Sequence, residues 1–203
     1  MKIKSAAFEV SAPDLRSCPK WALPEFAFIG RSNVGKSSLI NLLTERRDLA
    51  KVSDTPGKTK LFNFFVINGA WCLVDLPGYG YAEVGRQRRL EFNEAVARFL
   101  AERANLRCVF VLIDSRLPPQ AIDLEFLQWL EGCRAPFALI FTKTDKQSAA
   151  KTEASIAAFR QAMSAWRTEM PDILVSSAKT KAGRGTILEH IGATLALHNR
   201  SAG

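Results

Sequence analysis

One nine-residue stretch constrains the fold of this chain more than any other, and it reads GRSNVGKSS at residues 30–38. It fits the pattern G-x-x-x-x-G-K-[ST], in which a glycine-rich turn joins a β-strand to an α-helix. The apolar run before it has strand length, and the run LINLL after it has the spacing of a helix start. Backbone N–H groups of such a turn bind phosphate at the positive end of the helix. We therefore predict a nucleoside phosphate site, with a chance match in an ordinary strand-to-helix turn as the alternative.

Residues 30–38 are called the phosphate loop, and two of its side chains have roles that follow from the motif. Lys36 is expected to reach the β- and γ-phosphates, and the Ser37 hydroxyl is expected to bind Mg²⁺. The predicted nucleotide contacts in the loop are Gly30, Arg31, Ser32, Asn33, Val34, Gly35, Lys36, Ser37 and Ser38.

Apolar runs and helical periodicity alternate along the rest of the chain. Strands are expected at 26–29, 61–67, 71–75, 108–114, 137–141 and 173–175, and helices from residue 39 and at 87–103, 120–130, 149–168 and 187–197. Asn68-Gly69 between two apolar runs predicts an antiparallel hairpin, whereas the later continuous runs are typical of covered parallel strands. We predict one α/β domain at 25–203, with a mostly parallel sheet, one antiparallel edge strand and helices on both faces. Residues 1–24 are expected to pack on it as a lead-in with an edge strand near 6–10.

The charge of the chain indicates a polyanionic partner. There are 28 Lys and Arg residues against 20 Asp and Glu, a formal net charge of +8. A nucleotide site needs only a few cations, so the excess favours RNA, DNA or anionic lipid as a partner. A merely basic surface is the alternative.

The cysteines and the N-terminus favour a cytoplasmic protein. No C-x-x-C spacing occurs among Cys18, Cys72, Cys108 and Cys133, which is typical of reduced, buried thiols rather than a zinc site or a disulfide framework. Lys2 and Lys4 precede no hydrophobic segment, so we expect no signal peptide, and no run reaches the length of a membrane span.

A second phosphate-side motif, Asp75-Leu76-Pro77-Gly78, ends the second hairpin strand. The Asp75 carboxylate is expected to hold a Mg²⁺-bound water, and the Gly78 N–H to contact the γ-phosphate. D-x-x-G alone is a weak signal, but its place one hairpin after a phosphate loop makes it a strong one.

Two further strand ends predict recognition of guanine. Asp145 can accept hydrogen bonds from guanine N1–H and N2–H₂, which adenine lacks, and the Lys143 stem can lie across the base. A backbone N–H of the turn after the last strand can meet guanine O6. The predicted contacts are Thr142, Lys143, Thr144, Asp145, Ser176, Ser177, Ala178 and Lys179. A charged strand-to-helix turn without a ligand is the alternative.

The amino-acid sequences of these segments resemble those of the EngB (YihA/YsxC) family of bacterial GTPases, in the TrmE-Era-EngA-EngB-septin-like class. The matching segments read GRSNVGKSSLIN, TPGKT, DLPGYGYA, TKTDK and SSAKT, in that order. The resemblance spans the chain and implies a Ras-like GTPase domain that binds GTP or GDP with Mg²⁺. It also implies that Thr59 of the first switch loop binds Mg²⁺, with Thr55 as the competing candidate. The loop residues expected to cover the nucleotide are Gly57, Lys58, Thr59, Lys60 and Leu61.

The same resemblance implies a slow enzyme. Many GTPases carry Gln after D-x-x-G to orient the attacking water, and here that position is Tyr79. Catalysis is then expected from Mg²⁺, Lys36, Thr59 and the Gly78 N–H, with Ser37, Thr59 and, through water, Asp75 at the metal. Asn33 stands where related GTPases with this replacement hold an activating K⁺. Arg31 is an alternative source of charge.

The implied biological role is a switch in large ribosomal subunit assembly, linked to normal cell division and septation. Ribosomal RNA is then the polyanion, read by basic residues around the two switch loops, namely Lys51, Lys58, Lys60, Arg86, Arg88 and Arg89. A nucleotide-gated module that acts directly on division proteins is the second hypothesis, and a P-loop kinase or ATPase is a poorly supported third. We expect a monomer.

Overall fold

The computed structural model describes residues 1–50, 61–79, 94–133 and 135–201, with the backbone alone for 199–201. These residues form a seven-stranded sheet and five helices. The strands are β1 (Ala6–Ala12), β2 (Glu25–Gly30), β3 (Phe62–Ile67), β4 (Trp71–Asp75), β5 (Leu106–Asp114), β6 (Phe137–Thr142) and β7 (Ile173–Val175). The helices are α1 (Lys36–Thr44), α2 (Glu94–Glu102), α3 (Ala121–Gly132), α4 (Ala149–Met163) and α5 (Arg184–Ser201).

The strand order is β1-β3-β4-β2-β5-β6-β7, and among these strands β3 runs opposite to all the others. The prediction of an α/β fold with a mostly parallel sheet and one antiparallel strand is confirmed. The predicted strand near residues 6–10 is β1, which pairs with the outer side of β3. The reversed strand therefore lies one position in from the edge.

A tight turn joins β3 to β4. Asn68 and Gly69 both have positive φ, at 54° and 63°, and the Ala70 N–H donates to the Ile67 carbonyl at 3.0 Å. This is the type I′ geometry that an Asn-Gly pair favours. The Asn68 side chain also accepts from the Lys4 and Ser5 N–H groups at 2.7 and 3.0 Å, so it ties the start of β1 to the hairpin.

Helices cover both faces of the sheet, which explains why the parallel strands are apolar throughout. Alternate residues of β2 point to opposite faces. Phe26 and Phe28 pack with α1 and α5, whereas Ala27 and Ile29 pack with α2, α3 and α4. No helix of the described chain is long and apolar enough to cross a membrane.

The largest differences from the predicted helix bounds are in α4 and α5, and the predicted start of α2 lies outside the described residues. The helix predicted to end at residue 168 ends at Met163, and the N–H groups of Trp166 and Arg167 form a further turn by donating to the Met163 carbonyl. This turn lets Trp166 pack against the core. The helix predicted at 187–197 extends over 184–201, and the predicted start of α2 at residue 87 falls in the part not described.

A buried ion pair connects the N-terminal segment to the domain. Glu25 is completely buried and receives two hydrogen bonds from Arg103, at 2.8 and 2.6 Å, and one from the Trp21 indole at 2.8 Å. Arg103 also donates to the Pro19 carbonyl at 2.8 Å. One carboxylate thus joins the lead-in, β2 and the end of α2.

Candidate nucleotide-binding site

The carboxyl ends of the parallel strands meet at one edge of the sheet, where ligands bind in folds of this kind. The strand register sets Phe28 beside Asp75, and Asp114 beside Thr142. The Ser176 N–H donates to the Phe141 carbonyl at 2.8 Å, which brings the turn after β7 to the same edge. The structure therefore collects the predicted motifs of the phosphate loop, β4, β6 and β7 in one place.

The phosphate loop turns through two left-handed residues before α1 begins. Asn33 has φ 60° and Gly35 has φ 105°, and Gly35, the residue before α1, has no side chain to cap the helix. The unpaired N–H groups of a first helical turn form an anion site, because they carry the positive end of the helix dipole. The local geometry therefore fits the predicted phosphate site.

Two glycines allow close backbone contacts here: Gly78 joins the second motif to the phosphate loop, and Gly30 joins the loop to β5. A Cβ added to Gly78 would lie 2.6 Å from the Gly30 carbonyl oxygen, and one added to Gly30 would lie 2.9 Å from the Leu112 carbonyl oxygen. Neither position has room for a side chain. Both glycines are therefore required by packing, independently of any contact with a nucleotide.

The predicted phosphate-binding cation and the predicted metal-side carboxylate contact each other directly. The Lys36 ammonium donates to Asp75 Oδ1 across a separation of 39 residues, and both side chains are largely buried. Ser37 follows Lys36 and is half-buried. A hydroxyl and a carboxylate are hard oxygen donors, the kind that Mg²⁺ takes, so this donor set fits the ion.

The base motif, Thr142–Asp145, is braced against the phosphate loop by its lysine. Lys143 has φ 59°, and its ammonium donates to the Asn33 carbonyl at 2.6 Å and to Asp114 Oδ2 at 2.9 Å. Burial raises the pKa of Asp114, but hydrogen bonds from Arg116 and Lys143 together outweigh it and lower the pKa to about 2. Asp114 is therefore ionised and holds the lysine stem beside the loop.

Sequence reasoning missed this Asp114–Lys143 contact. Asp114 ends β5 at the same edge as the predicted motifs, and that position was a signal available in the sequence.

Among the residues that the structure describes, one carboxylate oxygen of Asp145 has a hydrogen-bond donor and the other has none. Oδ1 accepts from the Ser177 hydroxyl at 2.7 Å, and this hydrogen bond lowers the pKa of Asp145. Oδ2 is buried and has no hydrogen-bond donor among the residues that the structure describes. A buried acceptor without a donor is unfavourable until a ligand supplies one, and guanine carries two N–H donors on one edge. The pairing of Asp145 fits the predicted role in guanine recognition.

The Thr142 hydroxyl contacts the loop rather than standing free at the site. Its Oγ1 lies 2.7 Å from the Val34 carbonyl oxygen and 3.1 Å from that of Ile113. The single hydroxyl hydrogen can be donated to only one of them at a time. Thr142 therefore ties the end of β6 to the phosphate loop.

The turn after β7 is closed by a hydrogen bond within it and is held to the base motif by another. The Ser177 N–H donates to the Ala182 carbonyl at 3.2 Å, and the Thr144 hydroxyl donates to the Ser176 carbonyl at 3.2 Å. Gly183, at φ 79°, follows the turn. Ser176 and Ser177 are buried, whereas Ala178 and Lys179 are exposed. The turn thus joins Asp145 through Ser177 and leaves its tip accessible.

Several predicted residues lie outside the described part of the chain. They are Thr55, Gly57, Lys58, Thr59 and Lys60 of the first switch and the basic residues Lys51, Arg86, Arg88 and Arg89. Leu61, the last predicted residue of that loop, is exposed.

The side chain of Tyr79 is buried in the core. Its hydroxyl donates to Asp123 Oδ1 at 2.9 Å, and its ring stacks on Phe126 with centroids 4.2 Å apart. Burial and the Asp123 carboxylate raise the pKa of Tyr79 well above its ordinary value, so the phenol stays protonated. The residue after D-x-x-G therefore packs under α3, and sequence reasoning missed its partner Asp123.

Comparison with known proteins agrees with this geometry. Residues 25–143 match a family model described as "50S ribosome-binding GTPase". The chain is 49% identical over 191 residues to a protein of Christiangramia forsetii named "Probable GTP-binding protein EngB", across 94% of this chain and 96% of that one. A protein of the same name from Porphyromonas gingivalis is 48% identical over 191 residues, across 94% and 95% of the two chains.

A solved structure described as a probable GTP-binding protein engB has a similar fold. Its TM-score is 0.68 at 21% identity, and the match covers 85% of this chain and 98% of that one. At this identity the likeness concerns the fold alone.

Proposed function

We propose that GTP hydrolysis by this chain acts as a switch in assembly of the large ribosomal subunit. The premise is that the chain belongs to the EngB family of GTP-binding proteins. The chain is a GTPase that binds guanine nucleotide. The observation that carries the ribosomal proposal is the match of residues 25–143 to a family model described by binding to the 50S ribosome. The net charge of +8 supports it, because ribosomal RNA is a polyanion.

The chemistry proposed for the site depends on fixed charges and N–H groups. Ser37, Thr59 and, through water, Asp75 would hold Mg²⁺, which neutralises phosphate charge when it is bound. Lys36 and the N–H groups of the phosphate loop stabilise negative charge on the oxygens of the transferring phosphoryl group, and Gly78 adds an N–H on the γ side. Tyr79 stands where many GTPases carry the Gln that orients the attacking water, and a phenol cannot replace that amide in the same geometry. We therefore expect slow hydrolysis.

Guanine selectivity is assigned to Asp145 and the turn that holds it. Ser177 orients the carboxylate through Oδ1, and Oδ2 is left to accept from the base. Lys143, bound to the Asn33 carbonyl and to Asp114, holds the base side of the site against the phosphate side.

The ribosomal proposal is tested by co-sedimentation with purified ribosomal subunits, with GDP and with a non-hydrolysable GTP analogue. We expect binding to the large subunit with the GTP analogue and little with GDP, because the γ-phosphate orders switch loops. Binding should weaken as salt rises, with a slope that counts the phosphate contacts.

Charge reversal identifies the surface that binds. The variant with Glu at Arg86, Arg88 and Arg89 should lose most of this binding and keep its affinity for GDP. A matched control carries Glu at Lys20, Lys151 and Arg160, three exposed basic residues outside the site. If the protein sedimented with the subunits in neither nucleotide form, the result would contradict the proposal and favour direct action on division proteins. The implied requirement for division and septation stays a prediction.

We further propose that K⁺ stimulates hydrolysis through the Asn33 side chain. Asn33 is exposed at the turn of the phosphate loop, and its own carbonyl is held by Lys143. Turnover should be faster in potassium than in sodium buffer, and Asn33→Gly should abolish the difference. Glycine keeps the positive φ of this position without strain, so the substitution removes only the amide. Equal turnover of the unmodified protein in the two buffers would contradict the proposal.

The proposed setting is a monomer in the cytoplasm. Cys18, Cys72 and Cys108 are buried and free, and burial raises the pKa of Cys18 to about 11 and that of Cys108 to about 12. Such thiols are unreactive, as suits a reducing compartment.

A further inference from the structure

We propose that Asp123 is a positioning residue that seats Tyr79, holds the D-x-x-G glycine against the phosphate loop and thereby disfavours GTP relative to GDP. The Tyr79 seat consists of Asp123 and Phe126, both on α3. This inference depends on the nucleotide site and not on a ribosomal partner, so either proposal can fail without the other.

The seat holds Tyr79 by two different contacts. The phenol donates to Asp123 Oδ1 at 2.9 Å, and the ring lies on Phe126 at 4.2 Å with an angle of 22° between the planes. Tyr79, Asp123 and Phe126 are all buried. Burial raises the pKa of Asp123, whereas the hydrogen bond from Tyr79 lowers it. The carboxylate therefore depends on this donor, because an ionised group without partners is unfavourable in the core.

Seating Tyr79 also determines where Gly78 lies. The backbones of Tyr79 and Arg31 form a parallel bridge, so the segment after β4 continues its pairing with the phosphate loop. A Cβ on Gly78 would lie 2.6 Å from the Gly30 carbonyl oxygen and 3.6 Å from the Ser32 nitrogen. Gly78 is thus pressed against the first residues of the loop while Tyr79 occupies its seat.

A γ-phosphate requires a different arrangement of the same two residues. For its N–H to turn toward a third phosphate, Gly78 has to leave the close contact with Gly30. Consecutive Cα atoms are linked at about 3.8 Å, so a shift of Gly78 also displaces Tyr79. The hydrogen bond to Asp123 is then broken in the GTP form and kept in the GDP form. A contact made in only one state shifts the equilibrium toward that state.

The test compares affinities for GDP and for a non-hydrolysable GTP analogue in the full-length protein with Mg²⁺. Tyr79→Phe removes the hydroxyl and keeps the ring on Phe126. The ratio of GTP-analogue affinity to GDP affinity should rise about tenfold, as expected when one buried hydrogen bond no longer opposes the change. Denaturant midpoints check that the variants are folded.

Two substitutions of Asp123 address the same point from the other side of the contact. Asp123→Asn keeps an acceptor for the phenol, so its affinity ratio should stay near that of the unmodified protein. Asp123→Leu removes the acceptor and should raise the ratio as Tyr79→Phe does. An unchanged or lowered ratio in Tyr79→Phe and Asp123→Leu would overturn the inference. If the unmodified protein bound neither GDP nor the GTP analogue, that result would instead refute the nucleotide site itself.

Discussion

Asp145→Asn is expected to lower affinity for GDP by about 10²- to 10⁴-fold, because two hydrogen bonds to a charged acceptor are lost at about 1.5–3 kcal/mol each. The substitution replaces an acceptor with an amide whose N–H₂ group opposes the donors of guanine. Xanthine carries a carbonyl where guanine has its 2-amino group, so XDP should bind the variant better than it binds the unmodified protein. Equilibrium titration with fluorescent nucleotides measures all of these affinities.

The control for this substitution is Asp172→Asn. Asp172 is also an aspartate next to a strand, but it precedes β7 at the opposite edge of the sheet, and its side chain is 72% exposed. It should leave the affinity for GDP unchanged. IDP lacks the 2-amino group, so the preference of the unmodified protein for GDP over IDP should shrink in Asp145→Asn. If the affinity of Asp145→Asn for GDP fell by less than about threefold, Asp145 would be excluded from base recognition, because the loss of even one such hydrogen bond should lower the affinity further.

Arg103→Met is expected to lower the free energy of unfolding by about 3–5 kcal/mol, because it leaves Glu25 buried without its charge partner. Glu25 has no exposed surface, and Arg103 supplies two of the three hydrogen bonds that its side chain makes within the described part of the chain. For a chain of this size the melting temperature should fall by about 10 °C. Urea unfolding followed by Trp fluorescence measures the change.

A double substitution separates the buried charge from packing. Glu25→Leu combined with Arg103→Met removes both charges, so it should recover much of the stability lost in Arg103→Met alone. Arg98→Met is the matched control, because Arg98 pairs with Glu102 while about half exposed, and such pairs are worth about 0.5 kcal/mol. A loss in Arg103→Met no greater than in Arg98→Met would contradict the prediction.

The same ion pair bears on how the lead-in is attached. Arg103 donates to the Pro19 carbonyl, and the Asn105 amide donates to the Trp21 carbonyl at 2.7 Å. Proteolysis within residues 1–24 should therefore be faster in Arg103→Met than in the unmodified protein. The boundary predicted between residues 24 and 25 stays a prediction.

Features with a local cause were predictable from the sequence. The Asn68-Gly69 turn follows from the left-handed φ values that this pair tolerates, and β7 has the predicted bounds of residues 173–175. The fold class, the family and the GTPase activity are confirmed. They were predictable because motif spacing and hydrophobic period depend on neighbouring residues. Where the loop 30–38 sits relative to a strand and a helix is also a local property.

Contacts between distant residues were decided by the tertiary structure alone. Lys36 and Asp75 are 39 residues apart, Tyr79 and Asp123 are 44 apart, and Arg103 and Glu25 are 78 apart. Each pair depends on strand order, register and helix packing, which no local pattern in one sequence specifies. The sequence by itself determined that a phosphate loop, a D-x-x-G motif and a base motif each follow a strand of the sheet. Only the fold decided that Lys36 contacts Asp75, that Thr142 binds the loop and that Tyr79 packs under α3, because burial demands a partner for each polar group and packing supplies it.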